Sequence, residues 1–308
     1  MPGENLTRVE AAERAELVEV QSYTVELDLL KGEEVFGVTT TVKFASNMIG
    51  ASTFIDAITK TVHRVTLNGA DLDVAKVSDG VRIQLDNLQA QNELVVVSDN
   101  PYMHTGEGLH RFVDPVDNEV YLYTQFEVPD SRRMFAVFEQ PDLKATFQFT
   151  VSAPSNWKVI SNSPTPAAVD RGDGTAIWVF APTPRISSYI TALIAGPYSE
   201  WRDELTSADG RTIPLGVYGR SSLAKYIDAD YIFDKTKEGF KFFEEQFDYP
   251  YPFEKYDQLF VPDFNAGAME NAGAVTITES YVFRGAVNGF IKERRIITVL
   301  HELAHMWF

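Results

Sequence analysis

Ser22-Tyr23-Thr24-Val25-Glu26-Leu27-Asp28-Leu29 alternates polar and apolar side chains without a break. Successive side chains of a strand point to opposite faces. The octet therefore sends Tyr23, Val25, Leu27 and Leu29 toward a core and Ser22, Thr24, Glu26 and Asp28 toward solvent. A second strand, rich in Thr and Val, is expected over 36–44. Turn signals then recur at short spacing: Lys31-Gly32, Asn68-Gly69, Asp79-Gly80, Asp99-Asn100-Pro101 and Asp173-Gly174. Many short strands punctuated in this way predict an all-β domain of sandwich or barrel type from 18 to about 198. The residues ahead of it fit either a short helix or an ordered arm.

The texture changes after Trp201. Phe233, Thr236, Phe240, Phe243 and Phe247 recur at steps of three and four, which stacks them on one face of a helix expected over 222–247. Ser221 or Ser222 would cap it, and Asp248-Tyr249-Pro250 would end it, because proline disfavours helix in the residue before it. Strands are expected over 256–261 and 274–278, around a loop containing Gly and Asn. A second helix is expected from about 291 to the last residue. The boundary falls near residue 200: a β-rich domain over 1–200, then a mixed α and β domain over 201–308. There is no internal repeat and no low-complexity tract.

With 308 residues the chain has room for one to three domains. Its formal net charge of -17 repels phosphate backbones and anionic membranes, so nucleic acid is not an expected partner. There is no cysteine, which excludes disulfides, thiolate metal sites and cysteine nucleophiles. A transition-metal site must then use carboxylates and the five histidines, His63, His104, His110, His301 and His305. The N-terminus lacks the basic start and apolar run of a secretory signal. No stretch reaches the ~18 apolar residues of a membrane span, and the cytoplasm is the expected location.

His301-Glu302-Leu303-Ala304-His305 has the pattern HExxH. Residues four apart on a helix lie one turn above each other, so both imidazoles can face one metal ion. Zinc accepts imidazole in tetrahedral geometry at about 2.0–2.1 Å. Glu302 is rotated around the helix from His301 and would accept the proton of a metal-bound water instead of binding the metal. Ile296, Ile297, Val299, Leu300, Leu303, Ala304, Met306 and Trp307 make this helix apolar nearly all round, and burial is expected. Lys292-Glu293-Arg294-Arg295 reads as a solvated first turn, and His63, His104 and His110 as ordinary surface or core residues.

Gly267-Ala268-Met269-Glu270-Asn271, pattern GAMEN, lies in the loop between the two expected strands. With HExxH at the family's spacing behind it, the chain resembles the aminopeptidase N family of zinc metallopeptidases. The likeness extends to Tyr123–Glu127, Arg132-Arg133, 138–142, 184–189 and 195–198. The wording from Pro2 onward is most similar to the cytoplasmic, actinomycete-type bacterial branch. The resemblance implies an all-β saddle or sandwich domain followed by the first part of a thermolysin-like α+β catalytic domain. It implies that Glu270 binds the free α-ammonium of a peptide substrate, that Glu127 helps to hold it, and that Gln125 lies beside the first side chain. It also implies that backbone around Gly267 and Ala268, in the segment completed by Met269 and Asn271, hydrogen-bonds the peptide. Ala266, just ahead, would leave room for bulky first residues.

The family completes its zinc site with a glutamate on the next helix and uses a tyrosine further on for the oxyanion. The chain stops at Phe308, so an N-terminal fragment lacking the third ligand, inactive or nearly so by itself, is expected. Two other readings compete with a zinc aminopeptidase. One is an endopeptidase, which would tolerate N-acetylated substrates. The other is a catalytically incomplete β-rich binding module, which would fail to bind zinc.

Overall fold

The computed structural model of the chain describes residues 5–308; part of the Pro2–Arg8 wording thus lies outside the described residues. Two compact units form. One runs through His110 and takes in Thr124–Asn156 and Thr165–Thr191; the other comprises Arg111–Tyr123, Trp157–Pro164 and Ala192–Phe308. Residues 111–123, 157–164 and 192–200, all within the first 200, therefore group with the later chain. Among the described residues, no helix is long and apolar enough to cross a membrane.

The first unit opens with helix α1 (Arg8–Leu17), so the segment left open between helix and arm is a helix. Thr7 and Glu10 form a reciprocal capping box: the Glu10 N–H donates to Thr7 Oγ1 at 3.2 Å and the Thr7 N–H to Glu10 Oε2 at 2.8 Å. Strand Val18–Asp28 follows, in an eight-stranded sheet. The strand order is Val169–Asp170, Thr175–Val179, Thr146–Pro154, Val18–Asp28, Val35–Ser46, Gln91–Pro101, Thr61–Leu67 and Ala70–Asp71. Only the pairing of Val18–Asp28 with Thr146–Pro154 is parallel. The expected alternation holds, with Tyr23, Val25 and Leu27 buried. A register shift between Val20 and Ser22 lets Val18 and Val20 face the same core, because one extra residue flips the parity. Thr53–Asp56 and Arg82–Leu85 form a separate ladder, and α2 (Val74–Val77) is a single turn. In the core the Tyr23 ring stacks on Phe147 at 4.8 Å, with Phe135 edge-on to both.

The second unit holds a five-stranded sheet in the order Ser199–Thr206, Thr212–Gly219, Tyr256–Val261, Ala274–Thr278, Ala268–Met269. The three central strands run parallel, and the middle one, Tyr256–Val261, is buried along its whole length. Helix α3 covers Ala229–Phe247 and not 222–247, because Ser221–Tyr226 is a separate 3-10 turn. Asp228 stands at the N-cap but makes no capping bond; its carboxylate accepts from Arg295 Nη2 at 3.2 Å instead. Asp248 ends the helix in the left-handed conformation, φ 51. Along the expected face Phe233, Thr236 and Phe240 are buried, Phe243 is half-buried and Phe247 is exposed.

Helix α4 (Gly289–Ala304) packs on α3 across Gly239. A Cβ at Gly239 would stand 2.4 Å from Leu300 Cδ2 and 2.9 Å from Leu303 Cδ2, so a larger residue there would force both leucine tips to shift. The helix is not buried all round as its composition suggested. Val299, Glu302 and Leu303 face the core, whereas Ile297 is 53% exposed, since α3 and the sheet cover one side only. Nor is Arg295 part of a solvated turn: it is 3% exposed, with its guanidinium over the rings of Phe283 and Tyr231.

Candidate functional site

Asn288 caps α4, its side chain accepting from the Ile291 N–H at 3.0 Å. The helix tightens at its far end, where His305–Trp307 is a 3-10 turn. Two contacts fix that end: Trp307 Nε1 donates to the Tyr249 carbonyl at 2.9 Å, and Met306 Sδ accepts from the Gly273 N–H at 3.4 Å. One turn of helix brings the imidazoles of His301 and His305 together, their planes nearly perpendicular at 84°, with Nε2 to Nε2 at 3.1 Å. Two bonds of about 2.0–2.1 Å meeting at a tetrahedral angle would separate the nitrogens by about 3.3 Å, so the pair fits a shared cation. Carboxylate oxygens of Glu270 and Glu302 and a ring nitrogen of His305 all lie within 4.8 Å of one another. Glu302 is 5% exposed, and Glu270 and His305 are half-buried.

Glu270 arrives from a hairpin. Ala268–Met269, expected as loop, is a short strand antiparallel to Ala274–Thr278, with Ala268 opposite Ile277 and Met269 opposite Thr276. The Thr278 N–H donates to the Gly267 carbonyl at 3.0 Å and the Ala274 N–H to the Asn271 carbonyl at 3.0 Å. Asn271 is fully buried and donates from Nδ2 to Thr276 Oγ1 at 3.2 Å. Ala268–Met269 is the last strand of its sheet, and a Cβ on Gly267 would meet nothing within 4 Å. Its outer edge is open to another extended chain, among the described residues.

Gln125 and Glu127 belong to the first unit. Gln125 ends strand Val120–Gln125, and its Oε1 is buried with no hydrogen-bond partner among the described residues; Glu127 is exposed. His63 bonds Asp99 at 2.9 Å on the surface, and His110 is buried, its Nδ1 accepting from the Gly106 N–H.

Residues 103–190 match the Peptidase M1 N-terminal domain, and residues 231–308 match the Peptidase family M1 domain. This chain belongs to the M1 peptidase family. It is 59% identical over its whole length to an Aminopeptidase N of Streptomyces lividans, of which it spans 36%. An Aminopeptidase Ey of Gallus gallus is 36% identical over 62% of the chain and 20% of the relative. For an Aminopeptidase N of Acetobacter pasteurianus the figures are 32%, 76% and 62%. The M1 chain thus has a β-rich N-terminal domain followed by the start of the M1 domain, which carries α3, the hairpin and α4.

Several residues that shape this M1 site escaped the sequence reading. Tyr256 is buried with its hydroxyl unpaired among the described residues, and burial, then the charge of Glu302, push that phenol well above its usual range. Lys255 and Asp257, on either side of it, are 3% and 0% exposed. Charged residues two apart at the start of an apolar strand were the available signal, since they must share a buried face and need partners.

Proposed function

We propose that this M1 chain carries the metal-holding and N-terminus-reading groups of a zinc aminopeptidase, which removes the first residue from peptides with a free N-terminus. The convergence of Glu270, Glu302 and His305, with His301 Nε2 facing His305 Nε2 at 3.1 Å, is the observation that supports it. His301 and His305 would hold the zinc. When bound, it would supply a polarised carbonyl and a water with its pKa lowered toward about 7. Glu302 accepts the proton of the attacking water and returns it to the leaving amine. Glu270, with Glu127, neutralises the substrate's ammonium; a blocked N-terminus leaves a partly buried carboxylate without its counter-charge. Gly267, Ala268 and Met269 offer a strand edge to the peptide backbone, Asn271 shapes the turn behind them, and Gln125 lies against the first side chain. For Glu127 and Gln125 the support is the family resemblance.

Two imidazoles alone make an open site that holds zinc weakly, so low turnover by these 308 residues in isolation is part of the proposal, as is a cytoplasmic location. The test has two readouts. Metal analysis should find zinc in the native protein and none in its His301→Ala/His305→Ala variant. The native protein should hydrolyse leucine p-nitroanilide in a chelator-sensitive manner and leave N-acetyl-leucine p-nitroanilide intact. Equal rates on both would make the protein an endopeptidase, and a wild type without zinc would leave the binding-module reading standing.

A further inference from the structure

Beyond the groups already named, the second unit contains a dense polar arrangement directly behind the turn that follows Glu270. Lys255 is 3% exposed, and its Nζ donates to the Gly273 carbonyl at 2.8 Å while standing 2.8 Å from Asp257 Oδ2. The same carbonyl accepts the Asp257 N–H at 3.1 Å. Asn162 Nδ2 donates to the Ala272 carbonyl at 2.9 Å. The Gly273 N–H reaches Met306 Sδ, one residue past His305. Gly273 itself has φ +67, and a Cβ there would lie 3.1 Å from the Lys255 carbonyl and 3.2 Å from that of Asn162, so the turn has no slack.

Such an arrangement is costly to build. Burial pushes the Lys255 ammonium below its usual range, opposed by the Asp257 charge, and Asp257 is fully enclosed with Arg202 Nη1 at 3.1 Å. Apolar side chains of similar volume would commonly serve stability as well as a buried ion pair does. What they could not do is hold one particular carbonyl from one particular direction. The held carbonyl is three residues from Glu270, and the other side of the same glycine touches the helix end that carries the histidines.

We propose that Lys255 is a positioning residue: with Asp257 and Met306 it fixes the turn after Glu270 and so sets the Glu270 carboxylate relative to His305 and Glu302. The inference rests on the aminopeptidase reading for its consequence, recognition of the substrate's ammonium, but not for its structural half.

Lys255→Met leaves Asp257 buried with Arg202 as its remaining cation and can fold poorly. Lys255→Met/Asp257→Asn removes both charges and separates stability from positioning. In the native protein carrying the double substitution, zinc content and unfolding midpoint should stay near wild type. Exchange of the Gly273 and Ala274 amide hydrogens should quicken about 10-fold or more, as the turn opens locally. KM for leucine p-nitroanilide should rise about 10-fold while kcat stays within about 3-fold, the signature of lost ground-state recognition. Wild-type exchange and KM in a folded double variant would overturn the proposal. If the wild type hydrolyses nothing, the aminopeptidase reading fails, and the exchange rates alone decide: unchanged protection still overturns the role given to Lys255.

Discussion

The first unit and the second each gather charged side chains around a helix, and they treat them in opposite ways. In the first, Arg14 of α1 is 2% exposed and its donors are taken up within the protein: Nη1 by Asp56 at 2.7 Å, Nε by Gln140 at 3.2 Å, Nη2 by the Glu139 carbonyl at 3.3 Å. Glu139 in turn accepts from Ser131, the Arg132 N–H and Ser188, while burial pushes its carboxyl up. In the second, two imidazole nitrogens face each other and two carboxylates crowd the same few ångströms. The two carboxylates repel each other unless something positive stands between them. The first cluster is satisfied within its own unit, whereas the second gathers ring nitrogens and carboxylates within reach of one shared cation, which is what the proposed zinc site rests on.

The contrast breaks most sharply at Glu302. Glu302→Gln should keep zinc and lower kcat by about 10²–10⁴-fold, the usual worth of a positioned general base, as read by steady-state assay beside metal analysis. A variant that loses zinc as well would show Glu302 holding the second cluster together, as Asp56 does the first. Arg14→Met is the counterpart. It leaves buried Asp56 with only the more distant Arg82, 3.8 Å away, as a cation and should destabilise the first unit by about 3 kcal/mol in urea unfolding, with zinc content unchanged in the folded protein. Loss of zinc at equal folding would dissolve the distinction between the two clusters.

Local periodicity carried most of what could be read in advance. The alternation from Ser22 to Leu29 was legible because a strand's period is two, and the histidine pair because i and i+4 meet within one helix turn. What escaped depended on partners distant in sequence. Asp228 looks like a helix cap, yet tertiary contact gives its carboxylate to Arg295, and the same contact draws Arg295 out of the solvated run. The 3-10 turn Ser221–Tyr226 was invisible because its residues suit a helix. Ala268–Met269 is too short for any pattern, and becomes a strand only because Ala274–Thr278 lies beside it. Glu139 and Gln140, within a stretch shared with the family, prove to be partners of α1 and its surroundings. The GAMEN and HExxH residues were legible as motifs, but the hold of Lys255 and Asn162 on the turn between them was not, since their contacts span 18 and 110 positions.

The smallest expected effect lies at the rim of the first cluster, where it meets solvent. Arg82 Nη1 bonds Glu10 Oε1 at 2.6 Å, with Arg82 over the Phe54 ring and Nε 3.8 Å from Asp56 Oδ1. The Arg82 hydrogen bond, reinforced by the Thr7 N–H, holds the Glu10 carboxyl down at about 2 against an ordinary 4.5. A carboxyl depressed in the folded state contributes stability above its unfolded pKa, and that stability is lost as pH falls through the folded value. Wild type should therefore exceed Glu10→Gln in stability at neutral pH, and the gap should close between about 4.5 and about 2. Glu139, raised by burial, contributes with the opposite sign, so the difference between the two proteins is the quantity to follow, not either curve alone. The Glu10 side chain is 25% exposed, and solvent screening keeps the gap small. Urea midpoints of both proteins across that range check it. A gap that persists unchanged to the acid end would mean that Glu10 serves the helix by packing and capping, and that the self-satisfied cluster ends at Arg14.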